Sequence, residues 1–175
     1  MTAIDIPKEL DDRERIMLYE ESIRIEKAPI ILEDITASNI SKINEKTKIY
    51  TARNRVDLII IDYLQLISVS DHDSIESIMK SLKMLAQETD CPIILLTQLN
   101  RAVEQRKWHV PMLSDIRGSG CIENEADYVL LLYRDAYYNK DSKQREKFEI
   151  IVAKNNTGER GHVGLMYLEN CGKLI

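Results

Sequence analysis

Residues 58–98 read LIIIDYLQLISVSDHDSIESIMKSLKMLAQETDCPIILLTQ, with two apolar runs on either side of an amphipathic segment. The first run, Leu58–Ile61, ends at an aspartate and is typical of a strand buried on both faces. The middle segment has the apolar period of a helix and begins at a predicted capping pair, Asp73 and Glu76. Because a second apolar run follows at Ile93–Leu96, the pattern predicts a strand–helix–strand unit with parallel strands and a right-handed crossover.

The remaining elements extend this unit into a larger fold. Apolar periodicity predicts helices at 11–27 and 36–53 and a short strand at Ile30–Leu32. Residues 98–127 lose this period and are predicted to form a long loop with one helical turn. Further strands are predicted at 128–133, 148–153 and 163–168. We therefore predict an α/β fold with a mostly parallel sheet, flanking helices and a C-terminal antiparallel hairpin.

The composition is that of one globular domain from a reducing compartment. Apolar residues make up 44% and charged residues 30% of the 175 residues. No apolar run approaches the ~18 residues that a membrane span requires. The three cysteines lack CxxC spacing, which argues against a disulfide framework and against a zinc site. We therefore expect a soluble, cytoplasmic protein without a membrane partner.

The net negative charge of the chain comes from its opening segment. Residues 1–34 carry ten acidic and five basic side chains, whereas the other residues carry nineteen of each. We therefore divide the chain into an acidic helical lead-in at 1–28 and a sheet core at 29–175. The neutral core does not exclude a polyanionic partner. The small basic surplus at 98–120 is also typical of a solvated loop, so charge alone does not decide the partner.

Polar residues follow three of the predicted strands: Asp62, then Thr97 and Gln98, then Arg134 and Asp135. In parallel α/β sheets, ligands bind beyond the carboxyl ends of the strands. Four apolar residues followed by an acid form the pattern of a Walker B element, whose carboxylate holds the Mg²⁺ ion that bridges two nucleotide phosphates. The alternative is that Asp62 only turns the chain as it leaves the sheet.

Four blocks of the sequence resemble one protein family. They are IIIDYLQLI at 59–67, KSLKMLAQETDCPIILLTQLNRAVEQR at 80–106, MLSDIRGSGCIENEADYVLLLYRDAYYN at 112–139 and EIIVAKNNTGERGHVGL at 149–165. Their order and spacing are similar to those of the motor domain of DnaB-family replicative helicases. The resemblance runs from about residue 30 to residue 168 and implies a partial RecA-like, P-loop NTPase fold.

The resemblance implies a nucleotide role for two strand-end residues. Asp62 resembles the Walker B aspartate, which holds the Mg²⁺ ion of bound ATP. Gln98 resembles the polar sensor that links the γ-phosphate to the DNA-gripping loops. A neutral amide suits that role because it both donates and accepts hydrogen bonds. The alternative for Gln98 is a strand-end residue that bonds to nearby backbone.

The resemblance also implies a binding loop for single-stranded DNA. Residues Arg117, Gly118, Ser119 and Gly120 are similar to the family segment that tracks the phosphates of the strand. Arg117 supplies positive charge, and the glycines let backbone N–H groups approach a phosphate closely. The family usually has an acidic residue directly after the arginine, and Gly118 replaces it here.

Two residues near the C-terminus resemble family positions that act across a subunit boundary. Lys154 aligns with a lysine that reaches the γ-phosphate of a neighbouring subunit. The family pattern Lys-x-Arg-x-Gly places an arginine finger two residues later, where this chain has Asn156. An amide carries no charge to offset the transition-state phosphate, and an arginine finger is worth ~10³–10⁵ in rate. The resemblance thus implies a hexamer of this chain or of related DnaB-like subunits.

The phosphate-binding G-x-x-x-x-G-K-[ST] sequence, Walker A, does not occur in the 175 residues. In the family, this segment and the catalytic glutamate precede the part matched here. We therefore expect a C-terminal segment of an ATP- and Mg²⁺-dependent DNA-unwinding motor that is inactive alone. The alternative is a non-enzymatic, degenerate paralogue that binds helicase subunits or single-stranded DNA.

The missing segment has a consequence for the predicted sheet. In RecA-like sheets, the Walker A strand lies beside the strand that here is Ile93–Leu96. An apolar strand with an open edge tends to associate. We therefore expect either a rearranged strand order or self-association through that edge.

Overall fold

The computed structural model describes residues 10–34, 39–67 and 74–175, which fall into two compact units, Met1–Asp34 and Ile35–Ile175. The helices are α1 (Asp12–Glu26), α2 (Ile40–Arg53), α3 (Ile75–Thr89), α4 (Ser119–Glu125) and α5 (Asp135–Tyr138). The strands are β1 (Ile59–Ile61), β2 (Ile93–Leu95), β3 (Tyr128–Tyr133), β4 (Lys147–Asn155), β5 (Gly161–Leu168) and β6 (Lys173–Leu174). Short 3₁₀ turns lie at Leu64–Leu66, Arg101–Gln105 and Leu113–Asp115. No helix among these described residues is long and apolar enough to cross a membrane.

The first unit contains the predicted charged helix. A capping box starts α1: the Asp11 carboxylate accepts from the Glu14 backbone N–H at 2.7 Å, and the Glu14 carboxylate accepts from the Asp11 N–H at 2.9 Å. The predicted strand at Ile30–Leu32 is wrong, because these residues lie outside any strand and their side chains are 64, 50 and 89% exposed. The Ile30 N–H closes a tight turn onto the Ala28 carbonyl instead.

Capping residues determine where the helices α2 and α3 of the second unit begin. Asn39 caps α2 by accepting from the Lys42 N–H at 3.0 Å, so the helix begins later than the predicted residue 36. The predicted capping pair of α3 is wrong: Ser74 is the cap, and its hydroxyl accepts from the Ser77 N–H at 3.1 Å. Asp73 lies outside the described residues. Glu76 instead pairs with Lys80 one turn along the helix.

The predicted α/β class is confirmed, with a smaller parallel part than expected. Strands β1 and β2 pair in parallel with Ile59 opposite Ile93, and α3 connects them. Strands β3, β4, β5 and β6 form an antiparallel sheet that contains the predicted hairpin. The apolar run of β3 is a strand as predicted, but it pairs with β4. Apolar composition indicates a buried strand without revealing its neighbour.

The core of the second unit lies around α3. Its buried face carries Ile78, Met79, Leu82 and Leu85, which repeat at helical spacing. The same cluster includes Ile40 and Ile43 of α2, Ile116 and Ile122 near α4, and Val129 and Leu131 of β3. This packing fixes the positions of α2, α4 and the two sheets around one helix.

Strands β1 and β2 each bury only one face. Ile61, Ile93 and Leu95 pack against the core, whereas Ile60 is 60% and Ile94 is 50% exposed. The prediction of burial on both faces is therefore wrong for the described part of the chain. Within that part, β2 pairs with β1 alone. Rearrangement or self-association through this edge stays a prediction.

Candidate functional site

The first two predicted strand ends, one at Asp62 and one at Thr97 and Gln98, lie at one edge of the parallel pair. Ile61 is opposite Leu95, so Asp62 leaves β1 at the level where the chain leaves β2. The Leu96 N–H donates to the Ile61 carbonyl at 3.0 Å, and the Leu64 N–H donates to the Leu96 carbonyl at 2.8 Å. Asp62 is exposed at this edge.

A glutamine that the sequence analysis passed over ties the two strand ends together. The Gln65 side-chain amide donates to the Thr97 hydroxyl at 2.9 Å. Its carbonyl oxygen accepts from the Gln98 backbone N–H at 3.3 Å. Since Gln65 holds the backbone of Gln98, the exposed Gln98 side chain leaves the edge from a fixed point. The position of Gln65, three residues after the strand-end acid, was the available signal.

The third predicted strand end lies in the other sheet. The Arg134 guanidinium stacks over the Tyr167 ring at 4.5 Å and pairs with Glu169 at 3.3 Å. Asp135 accepts from the Tyr133 hydroxyl at 3.1 Å. The expectation that these residues share an edge with Asp62 is wrong, because β3 belongs to the antiparallel sheet.

Beyond β2, the chain is hydrogen-bonded to the start of the predicted DNA loop. Leu99 and Ile116 form an antiparallel bridge. Next to it, the Asn100 N–H donates to the Asp115 carbonyl at 2.7 Å, and the Asn100 side-chain amide donates to the Ser114 carbonyl at 3.3 Å. The strand edge and the loop are therefore joined by backbone hydrogen bonds.

A buried ion pair holds this junction together. The Asp115 side chain is 2% exposed and accepts two hydrogen bonds from the Arg106 guanidinium, one of them at 2.7 Å. It also accepts from the Met112 N–H at 2.7 Å. The guanidinium hydrogen bond, supported by the Met112 N–H, lowers the pKa of Asp115 against the opposing effect of burial. In the sequence, these two residues are only two of the charges in the stretch 98–120.

The predicted DNA loop leads directly into a helix. Gly118 has φ 77° and caps α4, and a Cβ built on it would lie 3.0 Å from the Ile75 side chain. Both the conformation and the close approach therefore require glycine. Arg117 is exposed, while Ser119 and Gly120 form the first turn of α4. The prediction of a long loop with one helical turn at 98–127 is thus corrected: the segment contains two 3₁₀ turns and the seven-residue helix α4.

Lys154 and Asn156 lie at the opposite end of α4. The Lys154 ammonium donates to the Ala126 carbonyl at 2.7 Å and to the Glu123 carbonyl. A cation at this position stabilises the C-terminal end of a helix. The Asn156 amide donates to the Asp127 carboxylate at 3.3 Å, and that carboxylate also pairs with Lys83. The hydrogen bond from Lys83 lowers the pKa of Asp127 despite its partial burial.

No group of three or more His, Cys, Asp or Glu side chains in the described residues has the arrangement of a metal site. Asp62 therefore stands as a single exposed carboxylate at its strand end. One carboxylate is a typical protein contribution to Mg²⁺ in nucleotide sites, where phosphates and water supply the other ligands. Among the described residues, this donor set fits a metal ion that is bound together with a nucleotide.

Comparison with known proteins supports the resemblance. The family model of the DnaB-like helicase C-terminal domain matches residues 3–174. Replicative DNA helicase DnaB of Geobacillus stearothermophilus is 41% identical over 157 residues, which cover 86% of this chain and 35% of that protein. Replicative DNA helicase DnaC of Bacillus subtilis (strain 168) is 39% identical over 152 residues, covering 83% of this chain and 34% of that protein. The chain thus spans about a third of the length of these relatives.

Two solved structures share the fold. A DnaB-like replicative helicase, studied with its interactions with primase, matches with a TM-score of 0.89 and 33% identity over 99% of this chain and 43% of that chain. A second structure, of an ATPase domain, matches with a TM-score of 0.88 and 34% identity over 95% of this chain and 61% of that chain. The fold is therefore that of a helicase ATPase domain. The chain belongs to the family of DnaB-like helicase C-terminal domains.

The Arg106–Asp115 pair gives a test of the junction. We expect Asp115→Asn to lower the midpoint of thermal unfolding by about 5–10 °C at neutral pH, because an amide places a donor against the Arg106 and Met112 donors. The lowered pKa of Asp115 means that the pair stabilises the fold at high pH and stops doing so as pH falls through that pKa. The difference between the wild type and the variant should stay constant at neutral pH and shrink in acid.

Thermal unfolding followed by circular dichroism across a pH series measures both effects. Asp141→Asn is the matched control, because Asp141 is an exposed aspartate in the same unit. A variant as stable as this control at neutral pH would show that the ion pair does not hold the junction.

Proposed function

We propose that this chain is the C-terminal part of a DnaB-like replicative helicase motor, which uses ATP and Mg²⁺ to unwind DNA as a ring of subunits. One observation carries the proposal: the strand edge with Asp62 and Gln98 is hydrogen-bonded, through Asn100, to the loop that bears Arg117. A motor must transmit the state of its nucleotide to its grip on DNA. A short hydrogen-bonded path suits that task because it connects the two sites physically.

At the nucleotide edge, Asp62 would hold the Mg²⁺ ion through its exposed carboxylate. The ion supplies positive charge that offsets the charge developing on the transferred phosphoryl group. Gln98 would contact the terminal phosphate through its amide. A shift of the Gln98 backbone would pass to Leu99, the next residue in the chain, and across its bridge to Ile116.

At the DNA loop, Arg117 would contact a phosphate of the single strand. Its side chain is exposed, and the residues before it are held by the buried Asp115. Gly118, Ser119 and Gly120 carry small or no side chains, so a strand can approach their backbone. These contacts carry no base specificity, which suits a motor that acts on any sequence.

At the subunit boundary, Lys154 would reach the terminal phosphate of a neighbouring nucleotide. Its present partners are carbonyl groups at the end of α4, so it would exchange them for phosphate oxygens. Asn156 is held by Asp127 and offers no charge at the finger position. This residue favours the second candidate function, a non-enzymatic protein that binds helicase subunits.

We expect the purified 175-residue chain to show no Mg²⁺-dependent ATP hydrolysis above background. Its sequence contains no Walker A loop, so the β- and γ-phosphates meet no cradle of N–H groups and no lysine of that motif. A coupled phosphate-release assay measures this, with Asp62→Asn as the matched control. Hydrolysis at the ~1–100 s⁻¹ of ordinary phosphoryl-transfer enzymes, abolished in the control, would contradict the expectation.

We expect the same chain to bind single-stranded DNA weakly, without sequence preference and with strong salt dependence. Arg117→Ala should weaken binding and reduce the slope of log affinity against log salt by about one phosphate contact. Fluorescence anisotropy of a labelled oligothymidylate measures both quantities. Arg145→Ala, an exposed arginine outside the loop, should leave the slope unchanged. A slope that is equally unaffected by Arg117→Ala would exclude this loop as the DNA contact.

A further inference from the structure

The only tryptophan of the chain, Trp108, is exposed to solvent. Its side chain is 70% exposed, and the Lys107 ammonium lies 5.1 Å from the centre of its ring. An indole combines a large π-face with a polar N–H, which suits it to contact another molecule at a surface. The family resemblance assigns no role to this residue.

Hydrogen bonds and ring contacts fix the backbone of the turn that carries the indole. The Tyr133 hydroxyl donates to the Trp108 carbonyl at 3.1 Å, and burial, followed by the hydrogen bond to Asp135, raises the pKa of Tyr133 to about 12. The next residue, His109, has φ 49°, and its ring stacks on Tyr138 at 4.9 Å. These contacts fix the turn and leave the indole outside it. An aromatic ring on a fixed turn loses little entropy when it binds.

The turn is joined to the DNA loop by the same ion pair. The Arg106 guanidinium donates to the Val110 carbonyl at 2.7 Å as well as to Asp115. Trp108 is two residues from Arg106, and Arg117 is two residues from Asp115. The Arg106–Asp115 ion pair therefore ties the segment of Trp108 to the segment of Arg117. A single strand of several nucleotides is long enough to contact both segments.

The chemistry of the turn favours a nucleic acid as its ligand. Residues 105–110 read QRKWHV and contain no acidic side chain. An aromatic ring beside a lysine matches the repeating unit of a single strand, in which a base with a π-face lies next to a phosphate. Proteins that bind single strands combine these two features.

We propose that Trp108 stacks on a base of the single strand while Lys107 contacts an adjacent phosphate. The site is thus a second DNA contact that extends the Arg117 loop. This inference rests on the proposed function, because it requires that the loop binds DNA. Trp108 would increase the affinity for single-stranded DNA without selecting a base sequence, since every base presents a stacking face.

Because Trp108 is the only tryptophan, its own fluorescence tests the proposal in the 175-residue chain. Oligothymidylate should quench the tryptophan emission and saturate at the same dissociation constant that anisotropy gives for the labelled strand. Trp108→Ala should raise that constant about fivefold to a hundredfold, the range for loss of one stacked base. Trp108→Phe should restore most of the affinity, because a phenyl ring also stacks. Tyr19→Ala is the matched control: Tyr19 is 67% exposed on α1, and its loss should change neither quantity.

The outcomes separate this inference from the function on which it rests. Binding that anisotropy detects, and that needs Arg117, but that leaves both tryptophan emission and the Trp108→Ala constant unchanged, would overturn the inference alone. Emission that changes with protein concentration in the absence of DNA would assign the indole to a protein contact and would also overturn it. Absence of DNA binding at low salt would overturn the proposed function together with the inference.

Discussion

The carboxylate of Asp115 is the buried charge on which the site depends. Taking a carboxylate out of water is costly unless charged and polar partners surround it, and here Arg106 and the Met112 N–H do so. Both partners belong, like Asp115, to the segment 98–127, which carries no apolar period. The ion pair therefore gives order to a stretch that apolar packing alone would leave loose. The bridge between Leu99 and Ile116 and the turn below Trp108 both lie beside it.

Helix α4 links the proposed DNA loop to the proposed subunit boundary. Gly118 caps its start, and Lys154 holds the carbonyl groups at its end. In a ring of subunits, a phosphate that attracted Lys154 would release the end of α4 while DNA contacted its start. The helix has seven residues, so about two turns separate its two ends.

The sequence predicted the parts of the fold that depend on apolar period. Helix α3 and the parallel pairing of β1 with β2 followed from such patterns, as did the shared edge of Asp62 and Gln98. The pairing of β3 with the hairpin could not be predicted in this way, because an apolar pattern does not reveal which strand lies beside it. The role of Asp115 could not be predicted either, because the fold decides which partner a charged side chain meets. In a sequence, a buried aspartate looks the same as an exposed one.

The central claim is that the nucleotide edge and the DNA loop form one hydrogen-bonded unit. Amide hydrogen exchange of the 175-residue chain, resolved by residue, tests it at Asn100, whose N–H donates to the Asp115 carbonyl. The account predicts that this amide exchanges slowly, as the paired amides of β4 do. It also predicts that Asp115→Asn speeds exchange at Asn100 and leaves β4 unchanged. An Asn100 amide that exchanges as fast as the amide of the exposed Arg145 in the wild type would contradict the account.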